Sequence, residues 1–329
     1  MILPKNFKNP ILILAIFIFL AFFGICLSIT MGSVEISLNE IFSAIFGNNS
    51  DTHSQILNNI RLPRTIVAAL VGINLALSGA ILQAVMKNPL ADPHIIGISS
   101  GAGLAGITVM LLFPEKNWAI TPIAFVGAMA AAFLIYILAW KDGIRPIRII
   151  LAGVAVSSFL GAGISSLMIL HSDKVHGALM WMVGGLSARS WPHVEIILPY
   201  TIFGMLLAFI GANYLNVLAL GDETAKSLGL RVEMVRLLFT ALAALLAASA
   251  VSVVGLLGFV GLIVPHVARL IIGSNHNYLL PGTAFLGIAT VTISDTFARI
   301  VVAPVELPVG IVMAAAGAPF FLFLLRREL

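Results

Sequence analysis

Residues 215–236 read Leu-Asn-Val-Leu-Ala-Leu-Gly-Asp-Glu-Thr-Ala-Lys-Ser-Leu-Gly-Leu-Arg-Val-Glu-Met-Val-Arg and form a polar interruption in a strongly apolar chain. Asp222 stands where a helix N-cap is expected, and Gly229 can adopt the left-handed conformation that ends a helix. Ala225 and Leu228 are three residues apart, so a helix places them on one face. The spacing predicts a short capped helix outside the bilayer, which either docks into another protein or simply joins two membrane spans.

The composition of the whole chain indicates a membrane protein. Of its 329 residues 60% are hydrophobic and 10% are charged, and uncharged runs are repeatedly long enough to cross ~30 Å of hydrocarbon. We therefore expect an all-α, polytopic protein in a lipid bilayer, organised as a single transmembrane domain over residues 1–329. The net charge of +4 does not indicate nucleic-acid binding, because the basic residues are scattered between apolar runs.

The apolar runs predict ten transmembrane helices. The run 237–272 has 36 residues, which a straight helix would extend to ~54 Å, so it must break near Gly255, Gly258 and Gly261. The other predicted spans are 11–29, two spans within 65–113, one between 117 and 141, and then 149–170, 193–214, 281–301 and 308–325. The two spans within 237–272 complete the ten.

The basic residues predict the orientation of these spans. An even number of spans places both termini on the same side, and the excess of basic residues places that side inside the cell. On this topology 12 Lys and Arg residues are inside, at positions 5, 8, 87, 141, 145, 148, 226, 231, 236, 269, 326 and 327. Six are outside, at positions 61, 64, 116, 174, 189 and 299.

Small residues recur inside the predicted spans. They lie before and after the Pro-containing break at 87–93 and again in the fifth span. Small residues let membrane helices approach closely, and they also suit the wall of a pore. For the fifth span we expect Gly153, Gly161 and Gly163 to line a translocation path that moves during gating.

Catalytic signatures are missing from the sequence. No Gly-Lys dipeptide occurs, so there is no P-loop, and no Gly-x-Ser-x-Gly elbow marks a hydrolase. The seven histidines have no metal-ligand spacing, and the single Cys26 lies in the first apolar run. We predict no catalytic residue, no cofactor and no bound metal, which disfavours an intramembrane enzyme.

Ionisable residues within the spans leave two alternatives. Asp295 and Arg299 are four residues apart, and His266 and Arg269 are three apart. Each pair is either a structural contact or part of a charge relay in an ion-coupled secondary transporter.

Four ordered segments, taken together, resemble a known family. They are Arg-Leu-Pro-Arg (61–64) before Gly-Ala-Ile-Leu-Gln (79–83), Asn-Pro-Leu-Ala-Asp-Pro (88–93) before Gly-Ile-Ser-Ser-Gly-Ala (97–102), Gly-Phe-Val-Gly-Leu-Ile-Val-Pro-His-Val-Ala-Arg (258–269), and Glu-Leu-Pro-Val-Gly-Ile-Val (306–312) before Gly-Ala-Pro-Phe-Phe (317–321). The chain is similar to the FecCD-like, BtuC-type permease subunits of type II ABC importers, which take up iron-siderophore complexes, haem and cobalamin.

The resemblance implies an architecture and a set of partners. It implies the type II importer permease fold, with helices 2 to 5 and 7 to 10 as an inverted repeat. It also implies a second permease subunit, as a homodimer or a close heterodimer, two cytoplasmic ATPase subunits and an extracytoplasmic substrate-binding protein. The expected location is the cytoplasmic (inner) membrane of a prokaryote, with both termini cytoplasmic.

The same resemblance implies roles for individual residues. The loop at about 215–236 matches the coupling loop of the family, so ATPase coupling is expected at Asp222, Ala225, Leu228 and Gly229. Outward-facing arginines that receive acidic residues of the binding protein are expected at Arg61, Arg64 and Arg299. The expected substrate is an iron(III)-siderophore complex, with haem or cobalamin as alternatives and ion-coupled secondary transport as the rival mechanism.

Overall fold

The structure is a computed structural model that describes residues 9–32, 52–94, 97–141 and 146–328. Lys5, Lys8, Arg145 and the side chains of Arg326 and Arg327, which the predicted orientation uses, lie outside this description. The α-helices within it, numbered in chain order, are α1 Pro10–Thr30, α2 Thr52–Ile56, α3 Leu62–Val85, α4 Ile98–Leu112, α5 Ile120–Ala139, α6 Pro146–Leu170, α7 Val175–Val183, α8 Trp191–Ile210, α9 Ala212–Ala219, α10 Asp222–Ser227, α11 Val232–Val254, α12 Val260–Ile272, α13 His276–Ile300 and α14 Val309–Glu328.

Ten of the helices in the described ranges correspond to the ten predicted spans. By length and composition, α1, α3, α5, α6, α8 and α11 can each cross a membrane. The shorter α4, α12 and α14 are also apolar, and α13 is 25 residues long but carries more polar side chains. The expected all-α membrane fold is confirmed, with a helix at each of the ten predicted spans, of which six are long and apolar enough to cross a membrane.

The break predicted within 237–272 is present. Helix α11 ends at Val254 and α12 begins at Val260, and the residues between them are not helical. Gly255 and Phe259 adopt positive φ angles of +80° and +68°, a conformation that stops a helix. Helix α12 has 13 residues, so it is ~20 Å long and shorter than the hydrocarbon core.

Helix α3 lies at the centre of the fold. In the 18-residue apolar stretch of this helical segment, 89% of the residues are buried inside the chain. Helix α3 packs against α1, α8, α11, α12 and α13. Several other helices are much more exposed. In the apolar stretches of α1, α5, α6 and α8, only 22–28% of the residues are buried inside the chain. Their outer faces carry large apolar side chains, which is the surface expected where helices meet lipid or another membrane subunit.

Two glycines explain how closely α3 approaches its neighbours. A Cβ atom on Gly72 would collide with the backbone carbonyl of Gly287 in α13. A Cβ atom on Gly79 would collide with the carbonyl of Gly261 in α12. The sequence left open whether small residues serve close packing or line a pore. At these two positions they serve close packing, because the helices touch through their backbones.

Buried polar side chains tie α3 to its neighbours. Asn74 donates from Nδ2 to Ser249 Oγ at 2.9 Å, and Ser78 donates from Oγ to the Ala243 carbonyl at 2.7 Å. Gln83 donates from Nε2 to the Leu262 carbonyl at 3.2 Å. Such bonds are worth on average only ~0.6 kcal/mol in a membrane protein, but they fix the register of the central helices.

Candidate functional site

A large cavity in the described part of the chain has a volume of about 1020 Å³. Its wall is formed by the segment between α3 and α4, by Ile150 of α6, by the end of α7, by the break before α12, and by α14 from Gly310 to Phe321. Almost all of these residues are apolar. Both α6 and α14, which contribute to this wall, also carry large exposed apolar side chains, such as Leu151 and Ile311.

The three polar side chains of the cavity wall are Asn88, Asp92 and His94. Asn88 Oδ1 accepts the Leu90 N–H at 2.9 Å, and Asp92 Oδ1 accepts the His94 N–H at 2.7 Å. Side chains of this kind stabilise turns by bonding to the backbone two residues further along. The Asn and Asp side chains therefore shape the wall, and the rest of the cavity presents an apolar surface to whatever passes through it.

Backbone contacts join three elements of the cavity wall. The Leu256 N–H donates to the Trp181 carbonyl at 3.2 Å, and the Gly185 N–H donates to the Val254 carbonyl at 2.9 Å. The Gly310 N–H donates to the Gly184 carbonyl at 3.1 Å. The end of α7, the break after α11 and the start of α14 are thus joined into one unit.

The glycines expected to line a path do not line this cavity. Gly161 faces open space, Gly163 faces Leu104, and the carbonyl of Gly153 lies beside Gly97. Ile150, one helical turn before Gly153, is the residue of α6 that reaches the cavity wall. In this single chain the cavity wall includes Ile150 and not these glycines, and their role in a translocation path stays a prediction.

The capped helix predicted around residue 222 is present as α10, with one difference. Gly221, at φ +109°, is the N-cap, and Asp222 is the first helical residue, so the predicted N-cap role of Asp222 is wrong. Its carboxylate instead accepts hydrogen bonds from Lys87 at 2.6 Å and from Arg236 at 3.0 Å. Partial burial would raise the pKa of Asp222, but these hydrogen bonds and charges hold it below its ordinary value.

The C-terminal cap of α10 is confirmed. Gly229 has a φ of +83°, its N–H donates to the Lys226 carbonyl at 2.9 Å, and the Leu230 N–H donates to the Ala225 carbonyl at 2.9 Å. This pair of bonds is the Schellman arrangement, which requires a left-handed residue that glycine adopts without steric cost.

The single apolar face predicted for α10 is wrong. Ala225 is completely buried and packs in a core cluster with Leu215, Leu218 and Val232, whereas Leu228 is 63% exposed. The reason is that Leu228 follows the last helical residue and occupies the C-cap, where the side chain points away from the face that carries Ala225. Leu228 is therefore the apolar side chain that α10 offers to the outside.

The arginines expected to face outward are buried. Arg61, Arg64 and Arg299 are only 4%, 6% and 4% exposed. Arg64 donates from Nε to Asp295 Oδ2 at 3.0 Å, from Nη2 to Asp295 Oδ1 at 2.9 Å and from Nη1 to Glu306 Oε2 at 2.7 Å. The expected exposure of all three was wrong, because each guanidinium is bound inside the chain, to carboxylates or to backbone carbonyls.

The two other arginines of this cluster bind the end of α1. Arg299 donates from Nη2 to the Ser28 carbonyl and to Ser28 Oγ, both at 3.0 Å, and Arg61 donates from Nη1 to the Ile29 and Thr30 carbonyls, both at 3.0 Å. Carbonyls at a helix C-terminus have no partner within the helix, and cations satisfy them. Arg299 Nε also lies 3.3 Å from Asp295 Oδ2, so the predicted Asp295–Arg299 pairing is confirmed.

The charge relay of the rival mechanism is not assembled. Arg269 is close enough to His276, at the start of α13, to interact with it electrostatically. Asp295 lies 19 residues further along the same helix, which corresponds to ~28 Å. The ring of His266 packs edge-on against Phe320, with the ring centroids 6.3 Å apart. The two ionisable pairs therefore occupy opposite ends of the fold.

Sequence reasoning missed three functional candidates: Lys87, Arg236 and Glu306. Arg236 lies in the same segment as its partner Asp222, 14 positions away, whereas Lys87 and Glu306 have partners far away in the sequence. Glu306 is 242 positions from Arg64, and Lys87 is 135 positions from Asp222. A signal for Glu306 existed, because it opens one of the four ordered segments.

Comparisons with known proteins agree with this geometry. The model of the FecCD transport family matches residues 19–327. The chain is 36% identical over 315 residues to the Fe(3+)-citrate import system permease protein YfmD of Bacillus subtilis (strain 168), covering 96% of this chain and 94% of the relative. It is 37% identical to the iron(3+)-hydroxamate import system permease protein FhuG of Bacillus subtilis, covering 97% and 98%.

A relative from an archaeon and a solved structure extend the comparison. The cobalamin import system permease protein BtuC of Halobacterium salinarum is 43% identical over 277 residues, covering 84% of this chain and 74% of the relative. A solved inward-facing structure of a metal-chelate type ABC transporter superposes with a TM-score of 0.86 at 29% identity, covering 96% of this chain and 99% of that one. The family model matches nearly all of this chain, and the chain aligns with most of the length of each of these relatives. This protein is therefore a member of the FecCD transport family.

Proposed function

We propose that this chain is the permease subunit of an ATP-binding cassette importer and that it translocates an iron(III)-siderophore complex across the cytoplasmic membrane. The observation that carries the proposal is the cavity of about 1020 Å³ with its almost wholly apolar wall. This volume lies at the upper end of the ~300–1,000 Å³ that is usual for ligand sites, so a bulky chelate fits. A wall with few polar groups holds such a ligand weakly and lets it leave.

The relatives support the choice of substrate. The permease proteins YfmD and FhuG serve iron(3+)-citrate and iron(3+)-hydroxamate import systems. The Halobacterium relative is a cobalamin import permease, which makes cobalamin the second candidate. Haem remains a third, because it is also a bulky metal chelate.

The proposal includes partner subunits. A second permease subunit, as a homodimer in the simplest case, would pack beside α6 and α14 and close the open side of the cavity. Two cytoplasmic ATPase subunits would supply the energy, since the sequence has no P-loop of its own. An extracytoplasmic binding protein would deliver the substrate. Both termini and α10 would then be cytoplasmic.

Within this assembly we assign the ATPase contact to the exposed surface of α10 and its cap. Leu228 supplies the apolar anchor, and Gly229 leaves room for close approach because no atom lies within 4 Å of the position of an added Cβ. Ala225 supports this surface from inside the chain. For Arg61, Arg64 and Arg299 the proposal is a supporting role, in which they hold the outer ends of α1, α3 and α13 beneath the binding protein.

The test is reconstitution of the complete importer in lipid vesicles, using the ATPase and binding protein encoded beside this chain. Uptake of radioactive iron supplied as ferric citrate or a ferric hydroxamate should require ATP and should continue after the ion gradients are dissipated. Competition with cobalamin and haem then ranks the three substrates. Uptake that stops with the gradients and ignores ATP would identify an ion-coupled carrier instead.

A further inference from the structure

One carboxylate joins α10 to two other parts of the chain. Asp222 Oδ1 accepts a hydrogen bond from Lys87 Nζ at 2.6 Å, and both carboxylate oxygens lie within 3.1 Å of Arg236 Nη2. Lys87 begins the segment between α3 and α4, and Arg236 belongs to α11. Asp222 is thus the point at which the short helix, the cavity wall and a central helix meet.

The segment that follows Lys87 forms part of the cavity wall and is held by its own hydrogen bonds. The Asn88 N–H donates to the Gln83 carbonyl at 3.1 Å, which attaches the segment to the end of α3. Asn88 and Asp92 each accept a backbone N–H two residues further along, at 2.9 and 2.7 Å. Lys87 itself has a φ of +49°, which non-glycine residues adopt rarely. Lys87 is thus connected through the backbone and these bonds to residues 88–94, most of which line the cavity.

The other side of the carboxylate is held by a buried anchor. The side chain of Arg236 is 2% exposed, whereas those of Asp222 and Lys87 are 41% and 35% exposed. An exposed ion pair contributes little to stability, typically ~0–1 kcal/mol. The Lys87–Asp222 contact therefore adds little stability, and its structural consequence is that it holds α10 next to the segment 87–94.

We propose that the Lys87–Asp222 ion pair transmits the displacement of α10 to the cavity wall at residues 87–94, with Arg236 as its fixed anchor. This inference rests on the proposed function, since α10 is displaced only if an ATPase binds there. Lys87 and Asp222 are positioning residues on this proposal. Asp222 then acts within its own chain, while Leu228 makes the contact with the ATPase.

The test places a reporter in the cavity wall and needs no substrate. In a Cys26→Ala background, Leu90→Cys is labelled with a charged maleimide in the importer reconstituted with its ATPase, either without nucleotide or with ATP and vanadate. With Lys87 and Asp222 intact, nucleotide should change the labelling rate about fivefold or more, the lower end of typical allosteric coupling. Lys87→Met and Asp222→Asn should each abolish the difference, and the double variant should do no more than either single change.

Controls separate this inference from the proposed function. Lys141→Met removes an exposed lysine outside the cluster and should keep the nucleotide response. A response that persists in Lys87→Met, or that is missing when all cluster residues are intact and the ATPase is bound, overturns the inference. Loss of ATPase co-purification in Lys87→Met also overturns it, because the pair would then belong to the ATPase contact. If the ATPase does not co-purify even with the intact cluster, the proposed function fails.

Discussion

Arg64 and Asp295 are joined by two parallel hydrogen bonds, from Nε to Oδ2 at 3.0 Å and from Nη2 to Oδ1 at 2.9 Å, across 231 positions of sequence. The pair is buried, with side-chain exposures of 7% and 1%. It connects the central helix α3 to α13, and Glu306 extends it to the segment before α14. Only arginine offers the planar fork that makes both bonds to one carboxylate.

Removing one side of this pair should destabilise the protein strongly. Arg64→Ala leaves the Asp295 carboxylate short of its main partner in a buried site, which typically costs ~3–5 kcal/mol. We expect a clear fall in the thermal unfolding midpoint in detergent, measured by tryptophan fluorescence. Arg64→Lys should recover only part of it. Lys174→Ala, which removes an exposed basic residue, serves as the control, and an equal midpoint in both variants would contradict the structural role of the pair.

Close packing of α3 gives a second prediction, with a matched pair of glycines. Gly79→Ala places a methyl group against the Gly261 carbonyl, so the helices must separate. Gly161→Ala meets nothing within 4 Å and should be neutral or stabilising, by up to ~1 kcal/mol, since alanine favours a helix. Unfolding midpoints of the two variants should move in opposite directions or differ sharply. Similar midpoints would show that α3 and α12 separate easily.

Leu228, the exposed residue that follows the last residue of α10, is predicted to bind the ATPase. Leu228→Asp puts a charge on the apolar anchor, so co-purification with the ATPase should fall about tenfold, equivalent to a loss of ~1.4 kcal/mol. Ile60→Asp changes a similarly exposed apolar residue, 55% exposed, that lies beside α3 and away from α10. It should leave ATPase binding unchanged. Full ATPase binding by Leu228→Asp would reduce α10 to a connector.

A different prediction concerns Ala225. Because it is fully buried, Ala225→Leu overfills a packed site and should cost ~1–3 kcal/mol of stability. Its effect on the ATPase should therefore appear together with a lower unfolding midpoint, unlike that of Leu228→Asp. Weak ATPase binding at an unchanged midpoint would instead mean that Ala225 touches the ATPase directly.

The cavity is tested by filling it. Ala315 lines the wall on α14, and Ala316 is the next residue on the same helix but does not line it. Ala315→Trp should block most of the uptake of the iron chelate while ATPase co-purification persists. Ala316→Trp should transport at near the normal rate. Equal transport by the two variants would place the translocation path elsewhere.

The ten spans and the break after Val254 were predictable because they follow from local composition. Hydrocarbon thickness sets the length of an apolar helix, and a run of 36 residues exceeds it. The cap at Gly229 was predictable for a similar reason, since a left-handed residue at a helix end is a property of a few neighbouring positions. The family resemblance also rested on ordered local segments.

The partners of the ionisable residues could not be read from the chain. A spacing of four residues found the Asp295–Arg299 contact, but Arg64 approaches the same carboxylate from another helix. An arginine near a predicted outer surface looks the same in sequence whether it is exposed or paired. Folding brought Asp295 and Glu306 to Arg64, and that contact made the guanidinium part of the interior.

The side of α10 that faces the interior could likewise not be predicted from local sequence. Their spacing of three residues predicted that Ala225 and Leu228 share one face of the helix. That prediction would be correct if the helix continued for another turn. The helix ends at Ser227, Gly229 reverses the chain, and Ala225 is buried in a core cluster that includes residues as far away in sequence as Leu82 and Leu280. Local chemistry determined that a short helix forms here, but its orientation, like the pairing of Asp222 with Lys87, depends on free energy gained from packing against distant parts of the chain.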